Sequence, residues 1–83
     1  MLADTDTIKN DLRDVVAKIV EKRPETIGDN TLFSELGADS MMMLEVLVAI
    51  ERKYNIEIPE ESLPRMVNLN DSINIIKSLV RHR

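Results

Sequence analysis

The sequence predicts an all-α fold, a small antiparallel four-helix bundle with three main helices, one short third helix and a long first loop. Three segments carry apolar residues at helical spacing, only Phe33 and Tyr54 are aromatic, and one connection is about 15 residues long. Aromatic residues favour strands, so a chain with only two of them favours helices. Residues 1–83 are therefore expected to form a single domain with a modest core.

The first helix is predicted over residues 4–22. Apolar side chains recur there every three or four residues, which places them on one face of a helix. They are Ile8, Leu12, Val15, Val16 and Ile19. Asp4, Thr5 and Asp6 offer capping oxygens near the predicted start, and Pro24 follows the predicted end.

Residues 24–38 are predicted to be a long loop, because they contain two glycines, a proline and several capping-type side chains. A loop of about 15 residues in so small a domain is either disordered or held by its own side chains. Four apolar residues are expected to hold it against the core: Ile27, Leu32, Phe33 and Leu36.

The second helix is predicted from Ser40 to Tyr54, with Asp39 as its N-cap. Its inward stripe is expected to comprise Met43, Leu44, Leu47, Ile50 and Tyr54. Other apolar residues lie beyond one narrow stripe, namely Met41, Met42, Val46 and Val48. The second helix is therefore predicted either to be the most buried helix or to present apolar groups to a partner.

A short helical turn and a last helix are predicted in the remaining chain. Proline is accepted in a first turn but breaks a helix interior, so only a turn or two fits between Pro59 and Pro64. Asn68 and Asp71 resemble a capping box with Asp in place of Glu. An apolar face continues at Ile73, Ile76 and Val80. The last helix is predicted over residues 69–80.

Acidic residues are concentrated in the middle of the chain. Residues 25–62 hold nine acids and only Arg52 and Lys53 as bases, whereas residues 63–83 hold one acid and four bases. A basic partner is therefore expected at the middle segment, and nucleic acid is not.

No apolar run approaches the ~18 residues typical of a membrane span, and the start lacks the features of a signal peptide. We expect a cytoplasmic monomer that does not insert into membranes.

Side chains suited to catalysis near neutral pH are few. The chain has no cysteine, and its one histidine, His82, lies beside the last residue, where chain ends fray. The adjacent Glu60 and Glu61 point in different directions on a helix, so they form a poor acid and base pair. No phosphate-binding loop and no metal-ligand spacing is present. The sequence therefore predicts no metal site and no enzyme made from this chain alone.

Ser40 is predicted at the first position of the second helix, beside Asp39. An exposed oxygen there faces the partial positive charge and free N–H groups of the helix N-terminus, which favour a phosphate group. Serine is also common near helix starts. On these residues alone an ordinary helix-start serine is favoured, and a modified serine stays open as the alternative.

The stretch "LGADSMMMLEVLVAIERKYNIEIPEE" resembles the acyl carrier proteins of fatty acid and polyketide synthesis. That family has a Gly-x-Asp-Ser-Leu core, an amphipathic helix, and "IP" before a short third helix, and the resemblance covers nearly the whole chain. It implies that Ser40 carries 4'-phosphopantetheine, added from coenzyme A by a phosphopantetheinyl transferase. The thiol of this cofactor would hold acyl groups as thioesters, and separate enzymes would supply the catalysis.

The resemblance also implies roles for residues near Ser40. Gly37 would turn the backbone into the second helix and Asp39 would cap it, with or without a cofactor, while Met41 stands where the family has leucine. Partner-binding residues on the same helix are expected to be Met42, Glu45 and Glu51. The implied partners are acyl-loading, ketosynthase or acyltransferase enzymes with basic docking surfaces.

The second helix departs from the pattern of fatty-acid carriers. Met42 stands where they often have an acid, and Arg52 and Lys53 stand where they tend to continue an acidic run. The implied recognition face is less acidic and more apolar, which favours a specialised carrier. Two alternatives stay open: a peptidyl or D-alanyl carrier, which carries amino acids, and a cofactor-free helical interaction module.

Overall fold

The computed structural model describes residues 4–81, and these residues form only helices and loops. The three α-helices are α1 (Thr5–Val20), α2 (Ser40–Tyr54) and α3 (Leu69–Arg81). Three short 3₁₀ helices lie between them, at Pro24–Thr26, Phe33–Leu36 and Glu60–Arg65. The predicted all-α fold, with three main helices and one short helix before the last, is confirmed. The helix predicted over residues 69–80 is α3. His82 lies outside the described residues.

Helix α1 begins as the sequence predicts and ends two residues earlier. The Asp4 carboxylate accepts a hydrogen bond from the N–H of Thr7 at 2.7 Å, and this bond lowers the pKa of Asp4. At the other end Glu21 adopts a left-handed conformation, with φ of 59°, and its N–H donates to the carbonyl oxygen of Ala17. This turn ends the helix before Lys22.

The core is aliphatic and is supplied by all three α-helices. Its buried helical residues are Ile8, Leu12, Val16, Ala17, Met43, Val46, Leu47, Ile50, Leu69, Ile73, Ile76 and Val80. The predicted inward stripe of α2 is wrong in part, because Val46, which lies outside the predicted stripe, is fully buried and Leu44 is only half-buried, whereas Tyr54 is half-buried and packs against the core. The four buried residues of α2 are spaced i, i+3, i+4 and i+7, so they form one stripe, and the helix contacts both α1 and the 3₁₀ helix Glu60–Arg65.

Helices α1 and α2 run antiparallel. The Tyr54 hydroxyl, in the last turn of α2, donates a hydrogen bond to the carboxylate of Asp11, in the first half of α1. Lys53 Nζ lies 3.9 Å from the same carboxylate. Burial first, and then the hydrogen bond to Asp11, raise the pKa of Tyr54.

The long first loop is held against the core by three of the four predicted apolar residues. Ile27 and Phe33 are buried and Leu36 is half-buried, but Leu32 is 42% exposed, so the prediction for Leu32 is wrong. Leu32 immediately precedes the 3₁₀ helix that contains Phe33, and only one of two such neighbours points into the core. The loop also contains two 3₁₀ helices where the sequence predicts no regular element.

Polar contacts of Asp29 connect this loop to both α1 and α3. Its carboxylate accepts hydrogen bonds from Lys9 Nζ at 3.0 Å and from Arg13 Nη2 at 2.6 Å. Its main-chain carbonyl oxygen accepts from the N–H of Asn70 at 3.1 Å. A further bond of 2.7 Å runs from the Asn70 side chain to the side-chain oxygen of Asn30. The loop is thus attached to two helices before it reaches α2.

The short third helix is longer than the sequence predicts. It is a 3₁₀ helix that includes Pro64 and ends at Arg65, rather than stopping before the second proline. Asn68 caps α3 as predicted, since its side-chain oxygen accepts from the N–H of Asp71 at 2.8 Å.

Among the described residues, none of the helices combines the length and apolar character that crossing a membrane requires.

Candidate functional site

Ser40 is the first residue of α2, and its side chain is exposed. The preceding Asp39 has an extended backbone, and its Oδ1 accepts a hydrogen bond from the N–H of Met42 at 2.9 Å. The predicted N-cap is therefore confirmed. Because the capping carboxylate is engaged by the helix, it holds the backbone around Ser40 in place.

Gly37 directs the chain from the loop into α2. It has a φ of +88° and closes the 3₁₀ helix Phe33–Leu36, where its N–H donates to the carbonyl oxygen of Ser34. A Cβ at this position would meet nothing within 4 Å. The need for glycine is therefore conformational and does not come from close packing.

The first turn of α2 is open to an anion. The N–H of Met42 is bonded to the side chain of Asp39, and the N–H of Met43 to its carbonyl oxygen at 2.9 Å. The earlier amides, of Ser40 and Met41, have no acceptor within the described part of the chain. Free amides and the helix dipole together favour a negatively charged group at this end.

A groove with apolar walls begins at Ser40, and we call it the Ser40 groove. The buried residues Phe33, Met43 and Met66 line it, and the exposed side chains of Leu32 and Val67 stand at its edges. Leu32 belongs to the long loop and Val67 to the chain after the short third helix, so two separate segments border the groove.

Sequence reasoning did not assign Leu63, Met66 and Val67 to the site, although all three line this groove. They lie in and after a short 3₁₀ helix, which is too short to show an apolar period. The one available signal is the nearby pair Pro59 and Pro64, which marks a compact turn without indicating what it faces.

The predicted partner-binding residues of α2 differ in exposure. Glu45 is exposed and Met42 is half-buried, whereas Met41, which is predicted only to flank Ser40, is 70% exposed. Glu51, expected on the exposed side, is half-buried, and its Oε2 accepts a hydrogen bond from the N–H of Ile58 at 2.7 Å. The chain reverses after α2, and the segment containing Ile58 partly covers Glu51, whose role in partner binding stays a prediction.

Comparison with known proteins identifies the family. The family described as Phosphopantetheine attachment site matches residues 10–76. The acyl carrier protein of Wolinella succinogenes is 35% identical over 72 residues, which cover 86% of this chain and 95% of that protein. This chain therefore belongs to the acyl carrier proteins. The family, the carrier function and the covalent cofactor 4'-phosphopantetheine, all implied by the sequence, are confirmed.

Solved structures show the same fold. A free-standing peptidyl carrier protein from a secondary metabolic pathway of Acinetobacter baumannii is 27% identical, with a TM-score of 0.81, and the match covers 90% of this chain and 94% of that one. The 3,5-dioxohexyl ACP of the actinorhodin polyketide synthase from Streptomyces coelicolor is 22% identical, with a TM-score of 0.74 and coverage of 99% and 95%. The latter likeness concerns the fold alone.

Proposed function

We propose that Ser40 is the attachment residue for 4'-phosphopantetheine and that the chain holds acyl intermediates as thioesters for separate enzymes, as a monomer in the cytoplasm. The observation that carries this proposal is the exposed Ser40 hydroxyl at the open first turn of α2. When bound, the cofactor supplies a terminal thiol that forms thioesters with acyl groups.

The residues around Ser40 fit a phosphodiester. The amides of Ser40 and Met41 have no other acceptor among the described residues, and the α2 dipole places partial positive charge at the same point. Asp39 is a negative neighbour, but its Oδ1 is engaged by the N–H of Met42. Ser40 is exposed, so a transferase reaches the hydroxyl without any opening of the fold.

The Ser40 groove supports cargo that is at least partly apolar. An acyl chain that folds back from Ser40 contacts the exposed side chains of Leu32 and Val67, which line the groove together with buried apolar residues. Each methylene removed from water there contributes about 0.8 kcal/mol. Among the described residues, one carboxylate, Asp39, lines the groove and no histidine does, so we assign catalysis to the partner enzymes.

The exposed face of α2 supports a specialised carrier. Met41 and Val48 are exposed apolar residues on this helix, and Glu45 is an exposed acid near them. An apolar face with few acids suits a dedicated synthase or ligase better than partners that recognise an acidic helix. Loading assays with fatty acids and amino acids test the cargo, because a preference for amino acids would favour the peptidyl or D-alanyl alternative.

The attachment residue is tested by intact mass after incubation with coenzyme A and a broad-specificity phosphopantetheinyl transferase. The unchanged chain is expected to gain one phosphopantetheine, and Ser40→Ala to gain none. Ser34→Ala is the matched control, because Ser34 is another exposed serine lining the same groove. Modification of Ser40→Ala, or no modification of the folded parent by several transferases, would show the proposal to be wrong.

A further inference from the structure

A second groove lies toward the C-terminal end of α2, and we call it the Arg52 groove. Leu44, Val48 and Arg52 line it from α2, while Glu57 and Glu60 line it from the segment that follows the helix. Val48 is 37% exposed. The α2 wall also carries Glu51, whose carboxylate is bonded to the N–H of Ile58. The groove therefore combines an apolar surface with one base, Arg52, on the α2 wall and two acids on the other.

The groove is held open by specific contacts of the backbone. Asn55 has a φ of 54°, and its N–H donates to the carbonyl oxygen of Glu51, so the chain reverses direction directly after α2. The Glu51 carboxylate then accepts the 2.7 Å hydrogen bond from the N–H of Ile58. Ile56 and Ile58 are both buried. These contacts fix the segment carrying Glu57 at a set distance from α2, so the groove exists before any partner binds.

The charged groups on the two walls are not paired with each other. Arg52, Glu57 and Glu60 are exposed, and none makes an ion pair or side-chain hydrogen bond within the described residues. Lys53, the neighbouring base, differs in that it lies 3.9 Å from Asp11. The charges of the groove are therefore available to a partner, which need not break an existing pair to reach them.

We propose that the Arg52 groove binds a helical segment of a partner enzyme that has an apolar ridge, a carboxylate facing Arg52 and a basic side chain facing Glu57 or Glu60. The inference rests on the carrier function proposed above and specifies its partner. Charge complementarity decides the chemistry of this segment, because like charges opposite Arg52 or the two acids would disfavour binding.

Such a contact would orient the carrier on its partner. Arg52 lies about 18 Å from Ser40 along the α2 axis, at a rise of 1.5 Å per residue. A partner that contacts both Ser40 and Arg52 fixes the direction of α2 relative to itself. A contact near Ser40 alone leaves that direction free. Arg52 is then a specificity-determining residue. It selects partners that place an acidic side chain opposite it and repels partners that place a basic side chain there.

A double-mutant cycle tests the proposal with a defined probe. The probe is a crosslinked helical peptide of about 14 residues, with a leucine ridge, glutamates on one flank and lysines on the other. Its affinity is measured by NMR titration of the folded ¹⁵N-labelled protein. Arg52→Gln and replacement of the peptide glutamates by glutamine are each expected to weaken binding about fivefold. The two changes together are expected to weaken binding hardly more than either change alone, because both remove the same charge pair. Amide resonances of Val48 and Glu57 are expected to shift.

The matched control is Arg65→Gln, because Arg65 is also an exposed arginine but does not line this groove. Equal effects of Arg52→Gln and Arg65→Gln, additive effects in the cycle, or no binding of the peptide would overturn the inference. The mass gain on Ser40 is measured on the same sample. If Ser40 is loaded but the peptide does not bind charge-selectively, the proposal for the groove is wrong and the proposed function stands. If the peptide binds selectively but Ser40 is not loaded, the proposed attachment at Ser40 is wrong instead.

Discussion

The main-chain N–H of Phe33 donates a hydrogen bond to the carbonyl oxygen of Val67 at an N···O distance of 2.8 Å. This bond joins the long first loop to the chain that follows the short third helix. Leu32 and Val67, which both line the Ser40 groove, are therefore held by the same contact. The proposed cargo site depends on two segments outside α2 as much as on the helix that carries Ser40.

Removing the cap of α2 is expected to destabilise the protein. Asp39→Ala leaves the N–H of Met42 without its acceptor and should lower the free energy of unfolding by about 1 kcal/mol, measured by urea denaturation. Asp39→Asn should retain most of the stability, because asparagine caps equally well. Glu45→Ala, an exposed acid on the same helix, is the control and should change stability by less than about 0.5 kcal/mol. Equal stability of Asp39→Ala and Glu45→Ala would contradict the capping role.

Substitution of Gly37 should act through backbone strain alone. Gly37→Ala is expected to cost about 1–2 kcal/mol, because φ of +88° is unfavourable for alanine although space for a Cβ is present. Gly37→Asn should cost less, since asparagine tolerates positive φ better. Thermal unfolding of the two variants makes this comparison. If asparagine is no better than alanine, steric conflict rather than φ decides the position.

Asp29 should make stability dependent on acid pH. The hydrogen bond from Lys9 is the first cause that lowers the pKa of Asp29 below its ordinary 3.8, and Arg13 lowers it further. A carboxylate whose pKa is lowered by folding stabilises the folded state at pH values above its ordinary pKa. This stabilisation is lost as the pH falls through the pKa of the folded state. Asp29→Asn should therefore be less stable at neutral pH and lose less on acidification.

The measurement for Asp29 is urea denaturation between neutral pH and about pH 3. Asp14→Asn serves as its control, because it removes an exposed acid of α1 that makes no ion pair among the described residues. An unchanged acid profile in Asp29→Asn would show that the contacts with Lys9 and Arg13 add nothing to stability.

Ser72→Ala is expected to stabilise the protein. The Ser72 side chain is fully buried in α3, and its Oγ has no hydrogen-bond partner among the described residues. Removing a buried hydroxyl without a partner should raise the free energy of unfolding by about 1 kcal/mol. Ser78→Ala, at an exposed position of the same helix, measures the gain in helix propensity alone and is subtracted. A net loss of stability in Ser72→Ala would contradict this assignment.

The sequence alone predicted the helices and the positions of their caps. Asp4, Asp39 and Asn68 each accept a hydrogen bond from an N–H three residues later, so every partner lies within one turn of its cap. The apolar period of α1 likewise marked the buried Leu12. Such features depend on neighbours in the sequence, which is why they could be predicted without the fold.

Only the tertiary structure decided how far each face is covered. Val46 is buried whereas Leu44 is only half-buried, Leu32 is exposed because Phe33 occupies the core, and Glu51 bonds to Ile58 where the chain turns back. Periodicity shows which residues share a face but not which distant segment covers it. The Ser40 motif can be recognised in the sequence because its residues are neighbours in the chain. Both grooves are bordered by distant segments, so the surfaces proposed for cargo and partner form only on folding.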